Sequence, residues 1–336
     1  MLGQNFVLGL VLFDAHVRIN AQTIMSIIVA ASGFLAIKTI GTLYAFSHGL
    51  TFIGEKMYHW IRNSGVGEIT YIEGTLFRIF FQSQLYIVIG LVIVFGLLIA
   101  KRLKHRRDFI VGLLYVYLAT LAIVISQSRS FWVGAVAGII FLIVFLLRCT
   151  QEKQIIALAS IALVTVVLTH NQTIQVLTGS NQNQLIERFQ VLKGDPASSS
   201  RINQLEPLWS AISQHPLLGS GFGAEVTYQS HDPRIVKTKP GGWHTTYAFE
   251  WGYQDIWLKL GLMGLALYLF LLTRIIINQF KNTSFTGAYS ALFTSGLAAV
   301  MLINVFSPYL NHPLGIGYFL ITATLTSYYN RSDSPH

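Results

Sequence analysis

Long apolar runs separated by short polar clusters recur along most of the chain. The first full run extends from about Gln22 to Phe46, and others follow at about 80–100, 109–126, 131–147 and 155–169. A polar segment, 170–252, interrupts the series, which resumes at about 253–273, 288–306 and 314–328. These runs suit helices that cross a bilayer in roughly 17 to 25 residues. They lack the period-two alternation of an outer-membrane barrel. The pattern predicts an all-α, polytopic membrane protein with about eight full spans. A further apolar stretch, 5–13 (NFVLGLVLF), is too short to cross and lacks the basic start and cleavage site of a signal peptide. It reads as a partial N-terminal span, as truncation would leave it.

Composition agrees. The chain is 53% hydrophobic and only 11% charged, with a mean hydropathy of +0.54, too few charges to cover a soluble surface. The net charge of +9 does not mark a nucleic-acid binder, because the basic residues fall in short connections between spans rather than on one soluble face. The expected partner is membrane lipid.

Those connections set the orientation. Eleven lysines and arginines lie on one side (Arg18, the 101–108 cluster, Arg148, Lys153, Arg274, Lys281 and Arg331), against Lys56, Arg62, Arg78 and Arg129 on the other. The richer side is cytoplasmic by the positive-inside rule. The expected organisation is therefore membrane helices over 1–169, a long extracytoplasmic loop with short helices over 170–252, and membrane helices with a short cytoplasmic tail over 253–336. Lys38 lies inside the first run, which is costly unless it is paired or faces a wet cavity; its role stays open. Cys149, the single cysteine, can form no internal disulfide.

A loop as long as 170–252 points to function. Within it, SSSRINQLEPLWSAISQHP predicts a helix begun by the serines at 198–200 and ended before Pro216, with an apolar face of Ile202, Leu205, Trp209 and Ile212. Its start would present Arg201 beside free backbone N–H groups, a setting for an anion. Arg129, in the turn SQSRSFW, is either a snorkelling helix-end cation or a phosphate ligand, for which an arginine fork suits better than lysine. Gly219, Gly221 and Gly223 lack the strand-then-helix frame of a nucleotide site and read as a turn.

The stretch 241–264, GGWHTTYAFEWGYQDIWLKLGLMG, runs from a polar, aromatic segment into an apolar helix. Glu250 stands at that boundary, where partial desolvation would make a carboxylate a better proton acceptor; it would equally suit a helix N-terminus. His244 is the rival base. Trp243, Tyr247, Phe249, Trp251, Tyr253 and Trp257 would either stack on sugar faces or form an interfacial aromatic belt. Asp255 and Lys259, spaced i and i+4, read as a structural pair. No HExxH, CxxC or DxD motif occurs, so no metal or cofactor is expected and arginines would neutralise a leaving diphosphate.

In order, spacing and sidedness, three pieces resemble the O-antigen ligase and polymerase superfamily of bacterial polysaccharide-assembly membrane proteins. They are SQSRSFWVGAVAG, SRINQLEPLWSAISQHPLLGSGFG and YQDIWLKLGLMGLALY, which together cover about half the chain from Arg129 to Leu272. GTLFRIFFQSQL resembles the upstream segment. The resemblance implies metal-independent, inverting transfer of glycan from an undecaprenyl-diphosphate carrier to a saccharide or lipid acceptor. The site would face the periplasm or extracellular side of a bacterial cytoplasmic membrane, with other polysaccharide-assembly proteins as partners. It implies Arg129 and Arg201 at the carrier diphosphate, with Arg78 nearby. Glu250 and Trp251 stand where the ligases have His-Asn, a departure that favours polymerase over ligase. Glu250 is then the catalytic base, and His244, Tyr247, Trp251 and Tyr253 are candidate substrate contacts. A lipid-linked saccharide transporter is the remaining alternative, disfavoured by the absence of an internal repeat.

Overall fold

The structure, a computed structural model, describes residues 21–100, 103, 105–149, 153–179, 196–230, 233–281 and 287–332. The apolar run 5–13, Arg18 and part of the basic 101–108 cluster lie outside these residues. Along the chain come α1 (Ala21–Ser47), α2 (Thr51–Ser64), β1 (Gly67–Glu73), β2 (Leu76–Phe81), α3 (Leu85–Ile99), α4 (Arg106–Ser126), α5 (Arg129–Cys149) and α6 (Lys153–Thr178). Then follow α7 (Pro196–Gln214), β3 (Val226–Gln229), α8 (Pro233–Thr238), β4 (Trp243–Thr246), α9 (Gly252–Lys281), α10 (Gly287–Phe306) and α11 (Pro313–Ser332).

Seven of these helices, α1, α3, α4, α5, α6, α9 and α10, are long and apolar enough to cross a membrane. The eighth expected span is the shorter apolar segment Pro313–Thr326 of α11. The protein is thus an all-α, multi-pass membrane protein. Its centre is α3, LYIVIGLVIVFGLLI, which is apolar on every side and almost wholly buried, as a helix with no water-facing stripe must be. Helices α1, α4, α5 and α10 pack around it. Gly134 and Gly138 bring α5 close against Ile303 and Ala299 of α10, the small-residue packing typical of helices in lipid.

The polar connection 47–79, between the first two spans, is built from a helix and a hairpin. β1 and β2 pair antiparallel, with Ile69 opposite Ile79 and Thr70 opposite Arg78. Leu76, Ile79 and Phe81 join Ile61, Leu43 and the upper ends of α4 and α6 in a small second core. The period-two alternation of β2 therefore turns Ile79 and Phe81 inward and leaves Arg78 and Phe80 on the other face.

Helix α9 is broken once, at Gly261, where φ is +70° and ψ is −179°. The carbonyls of Leu258 and Lys259 accept from Ser220 and Gly221 N–H, at 2.7 and 3.0 Å. The N–H groups of Leu262 and Met263 donate to Pro216 and Leu217 carbonyls, at 2.8 and 3.3 Å. The loop 216–221 is thus spliced into the broken turn and satisfies the backbone groups that the break leaves open. The splice also leaves no room at Gly219: a Cβ there would lie 2.5 Å from Gly261 N. Gly219 therefore serves backbone docking, while Gly221 and Gly223 lie in the expected turn, where Ala224 N–H donates to the Gly221 carbonyl at 3.2 Å.

Candidate active site

One end of the bundle gathers the loops that carry the sequence candidates. Helix α4 ends at Ser126, and Gln127 reverses the chain with a left-handed φ of +48°. Ser128 then starts α5, its carbonyl accepting from Phe131 and Trp132 N–H at 3.1 and 3.2 Å. Arg129 stands half-buried in the first turn of α5, beside the open N–H groups of a helix start. Arg78 reaches the same turn from the hairpin: its Nε donates to the Ser126 carbonyl at 3.0 Å. Its guanidinium lies over Phe80 at 5.2 Å and 3.8 Å from the Glu68 carboxylate. Phe80 stacks on Phe131 at 5.7 Å, so Arg78 and Arg129 are held by one packed unit.

The second group is built on α7. Arg201 Nε donates to the Glu250 carboxylate, an ion pair whose side chains are 39% and 47% exposed. Trp251 Nε1 donates to the Arg201 carbonyl at 2.9 Å, and Glu250 N–H to Gln204 Oε1 at 3.4 Å. Beneath them, Phe249 is buried with Leu208, Ile212 and Leu258. The buried face of α7 is therefore Gln204, Leu208 and Ile212. Of the expected stripe, Ile202 and Trp209 are exposed. Glu250 is likewise not desolvated but exposed and arginine-bound. In place of a boundary carboxylate drawn toward the membrane, the structure has a surface ion pair.

The connection between α10 and α11, Ser307–His312, joins the two groups. Ser307 Oγ lies 3.2 Å from Ser130 Oγ, next to Arg129. Tyr309 OH donates to the Gln82 carbonyl at 3.2 Å, and its ring lies 5.7 Å from Phe131. Asn311 Nδ2 donates to the Gly252 carbonyl at 3.3 Å and to the Asp255 carboxylate. Trp251 meets Phe306 at 6.0 Å between ring centres, so a continuous path runs from Glu250 through Trp251, Phe306 and Ser307 to the Arg129 turn. His312 Nδ1 accepts the Leu314 N–H at 3.3 Å, and burial lowers its pKa from 6.5. Burial raises that of Tyr309. The sequence reading missed this connection. Its signal was the proline-bracketed polar run SPYLNHP between the last two apolar runs, at the same end as Arg129.

The other candidates separate clearly. Tyr247 and Trp243 are exposed, available to a ligand. His244 lies in β4, which pairs with β3, and faces the Tyr228 ring at 5.8 Å. Tyr253 turns into the bundle, its hydroxyl donating to the Met301 carbonyl at 2.9 Å. Trp257 Nε1 donates to the Pro216 carbonyl at 2.9 Å. Asp255 and Lys259 form the expected ion pair at 2.7 Å, both side chains largely buried.

Arg78, Arg129 and Arg201, with the carboxylates of Glu68 and Glu250, thus lie among the loops at one end of a multi-pass helical bundle. Residues 113–269 match a family model described as O-antigen ligase. The match, over a little under half of the chain, supports the O-antigen ligase and polymerase superfamily and, with it, glycan transfer in general. The matched region holds Arg129, Arg201 and Glu250; Arg78 and Ser307–His312 lie outside it. No curated protein matches the chain.

Proposed function

We propose that the chain polymerises glycan repeat units carried on undecaprenyl diphosphate, at the outer face of a bacterial cytoplasmic membrane, by inverting transfer without a metal ion. The observation that carries this reading is the Arg201–Glu250 ion pair beside Trp251. An arriving diphosphate competes with Glu250 for the Arg201 guanidinium, and Arg129 and Arg78 supply further positive charge. Exchange of the pair turns the carboxylate toward the acceptor. The acceptor hydroxyl oxygen then attacks the anomeric carbon from the face opposite the diphosphate. Glu250 takes the hydroxyl proton, and the anomeric C–O bond breaks with its electron pair leaving on the diphosphate. The arginines stabilise that developing charge. Tyr247 and Trp243 offer exposed aromatic faces to sugar rings.

The Glu250→Gln variant keeps the size of the side chain and cannot take the proton. Its transfer from purified carrier-linked repeat units should fall by about two orders of magnitude or more, the scale of general-base catalysis. Transfer at the wild-type rate would remove Glu250 from the mechanism. The description of the matched family favours a second reading, ligation of a finished glycan to another acceptor. Deletion of the gene separates the two: a polymerase leaves single carrier-linked units, a ligase full-length unattached chains.

A further inference from the structure

We propose that Lys38 and Trp60 form a binding site for the phosphate of a resident anionic phospholipid, separate from the arginine site. Gln22 marks one end of α1 by its 3.0 Å bond to Tyr289 at the start of α10. Lys38 lies 17 residues along from Ala21, about 26 Å at the helical rise, close to the thickness of the hydrocarbon layer. The adjoining Thr39 accepts from Gln84 Nε2 at 2.9 Å, level with the start of α3. This spacing puts the lysine at the headgroup level of the hairpin end. Its Nζ lies 4.2 Å from the Phe81 ring centre and 5.5 Å from that of Trp60. Among the described residues no carboxylate pairs with it.

Ring faces attract an ammonium group but leave its charge uncompensated in a low-dielectric setting. An anion completes the site. Trp60 is exposed on α2, with Lys56 one helical turn away on the same face. Below Lys38, one turn back along α1, Phe34 is 67% exposed, and Ile37 beside it is also exposed. A phosphate above an apolar strip is the profile of a phospholipid rather than of free phosphate. Phe81 and Arg78 point to opposite faces of β2, so the hairpin stands between this site and Arg129.

The test is native mass spectrometry of the full purified chain in detergent, titrated with phosphatidylglycerol, phosphatidylcholine of matched acyl chains, inorganic phosphate and undecaprenyl phosphate. The wild type should retain phosphatidylglycerol in preference to phosphatidylcholine. Lys38→Gln should weaken that retention about tenfold, the loss expected of one charged hydrogen bond. Lys38→Arg should restore it, and Arg78→Gln should leave it unchanged. Equal thermal unfolding of Lys38→Gln and wild type in lipid-free detergent would show that the loss is local. Undiminished phosphatidylglycerol retention in Lys38→Gln overturns the proposal. So does equal binding of phosphatidylcholine, or displacement of the lipid by inorganic phosphate or by undecaprenyl phosphate at equal concentration.

Discussion

Replacing Gly261 by alanine adds one methyl group where the backbone leaves no room for it. A Cβ there would lie 2.1 Å from the Leu217 carbonyl oxygen and 2.6 Å from Gly219 N. The backbone angles, φ +70° and ψ −179°, fall in a region essentially confined to glycine, costing a side-chain-bearing residue about 1–3 kcal/mol. Relieving the clash adds about 1–3 kcal/mol and pulls on the four hydrogen bonds of the splice. The expected destabilisation is about 3 kcal/mol or more, a fall in Tm on the order of 5 °C. Gly219→Ala should behave alike, since its Cβ would meet Gly261 N and the Lys259 carbonyl at 2.5 and 2.6 Å. Gly223→Ala, with nothing within 4 Å of the new Cβ, should stay within about 0.5 kcal/mol of wild type. Thermal unfolding in detergent, followed by tryptophan fluorescence, reads the series, because Trp209, Trp251 and Trp257 all pack beside the splice or the ion pair. Proteolysis should cut the freed 214–223 segment in the two destabilised variants. Wild-type Tm and cleavage in Gly261→Ala would refute the splice.

Trp251→Phe keeps a ring against Phe306 but removes the donor to the Arg201 carbonyl; the loss of about 1 kcal/mol of positioning should raise KM for the carrier-linked donor several-fold, measured by steady-state transfer. Lys259→Met leaves the buried Asp255 charge short of its cation and should cost about 3–5 kcal/mol. The double variant Asp255→Asn/Lys259→Met should unfold at a higher temperature than Lys259→Met alone; the reverse order would show that the pair is not coupled. His312 is held below its ordinary pKa of 6.5 by burial, so the unfolded chain binds its proton first as pH falls. Its contribution to stability is therefore complete above pH 6.5 and is lost as pH falls through the depressed folded value. Protonation also removes the acceptor for Leu314 N–H. The acid slope of Tm below pH 6.5 should be shallower in His312→Gln, and an identical slope would exclude this histidine.

The helical frame was legible because lipid imposes it: a backbone in hydrocarbon must bond to itself, and apolar runs of sufficient length announce the result. The runs ending at about 169 and 273 continue in the structure to Thr178 and Lys281, since polar residues at a helix end leave the apolar pattern without leaving the helix. The hairpin escaped because its inward residues, Ile79 and Phe81, sit in so aromatic a strand that alternation is hidden. In α7 the helix was plain but its buried face was not, because Gln204 takes an inward position and Ile202 an outward one. Within the site, Arg201 and Glu250 were both visible as candidates, whereas their pairing across 49 residues of chain follows from the packing of α7 against α9. The Ser307–His312 connection carried no motif, since its work is done by single hydrogen bonds, to backbone carbonyls and to Ser130 and Asp255, that any short polar loop could make.

That connection bears on how far the protein can be treated as a cassette. A graft of residues 113–269 into a relative would carry Arg129, Arg201 and Glu250. It would leave behind Tyr309, which ties the Arg129 turn to the hairpin, and Asn311, which fastens the start of α9. Charged groups would travel without the hinge that spaces them. For chimeras that aim to exchange glycan specificity, the transplantable unit runs from the hairpin through α11. Swaps confined to exposed residues such as Trp243 and Tyr247 keep the spacing intact.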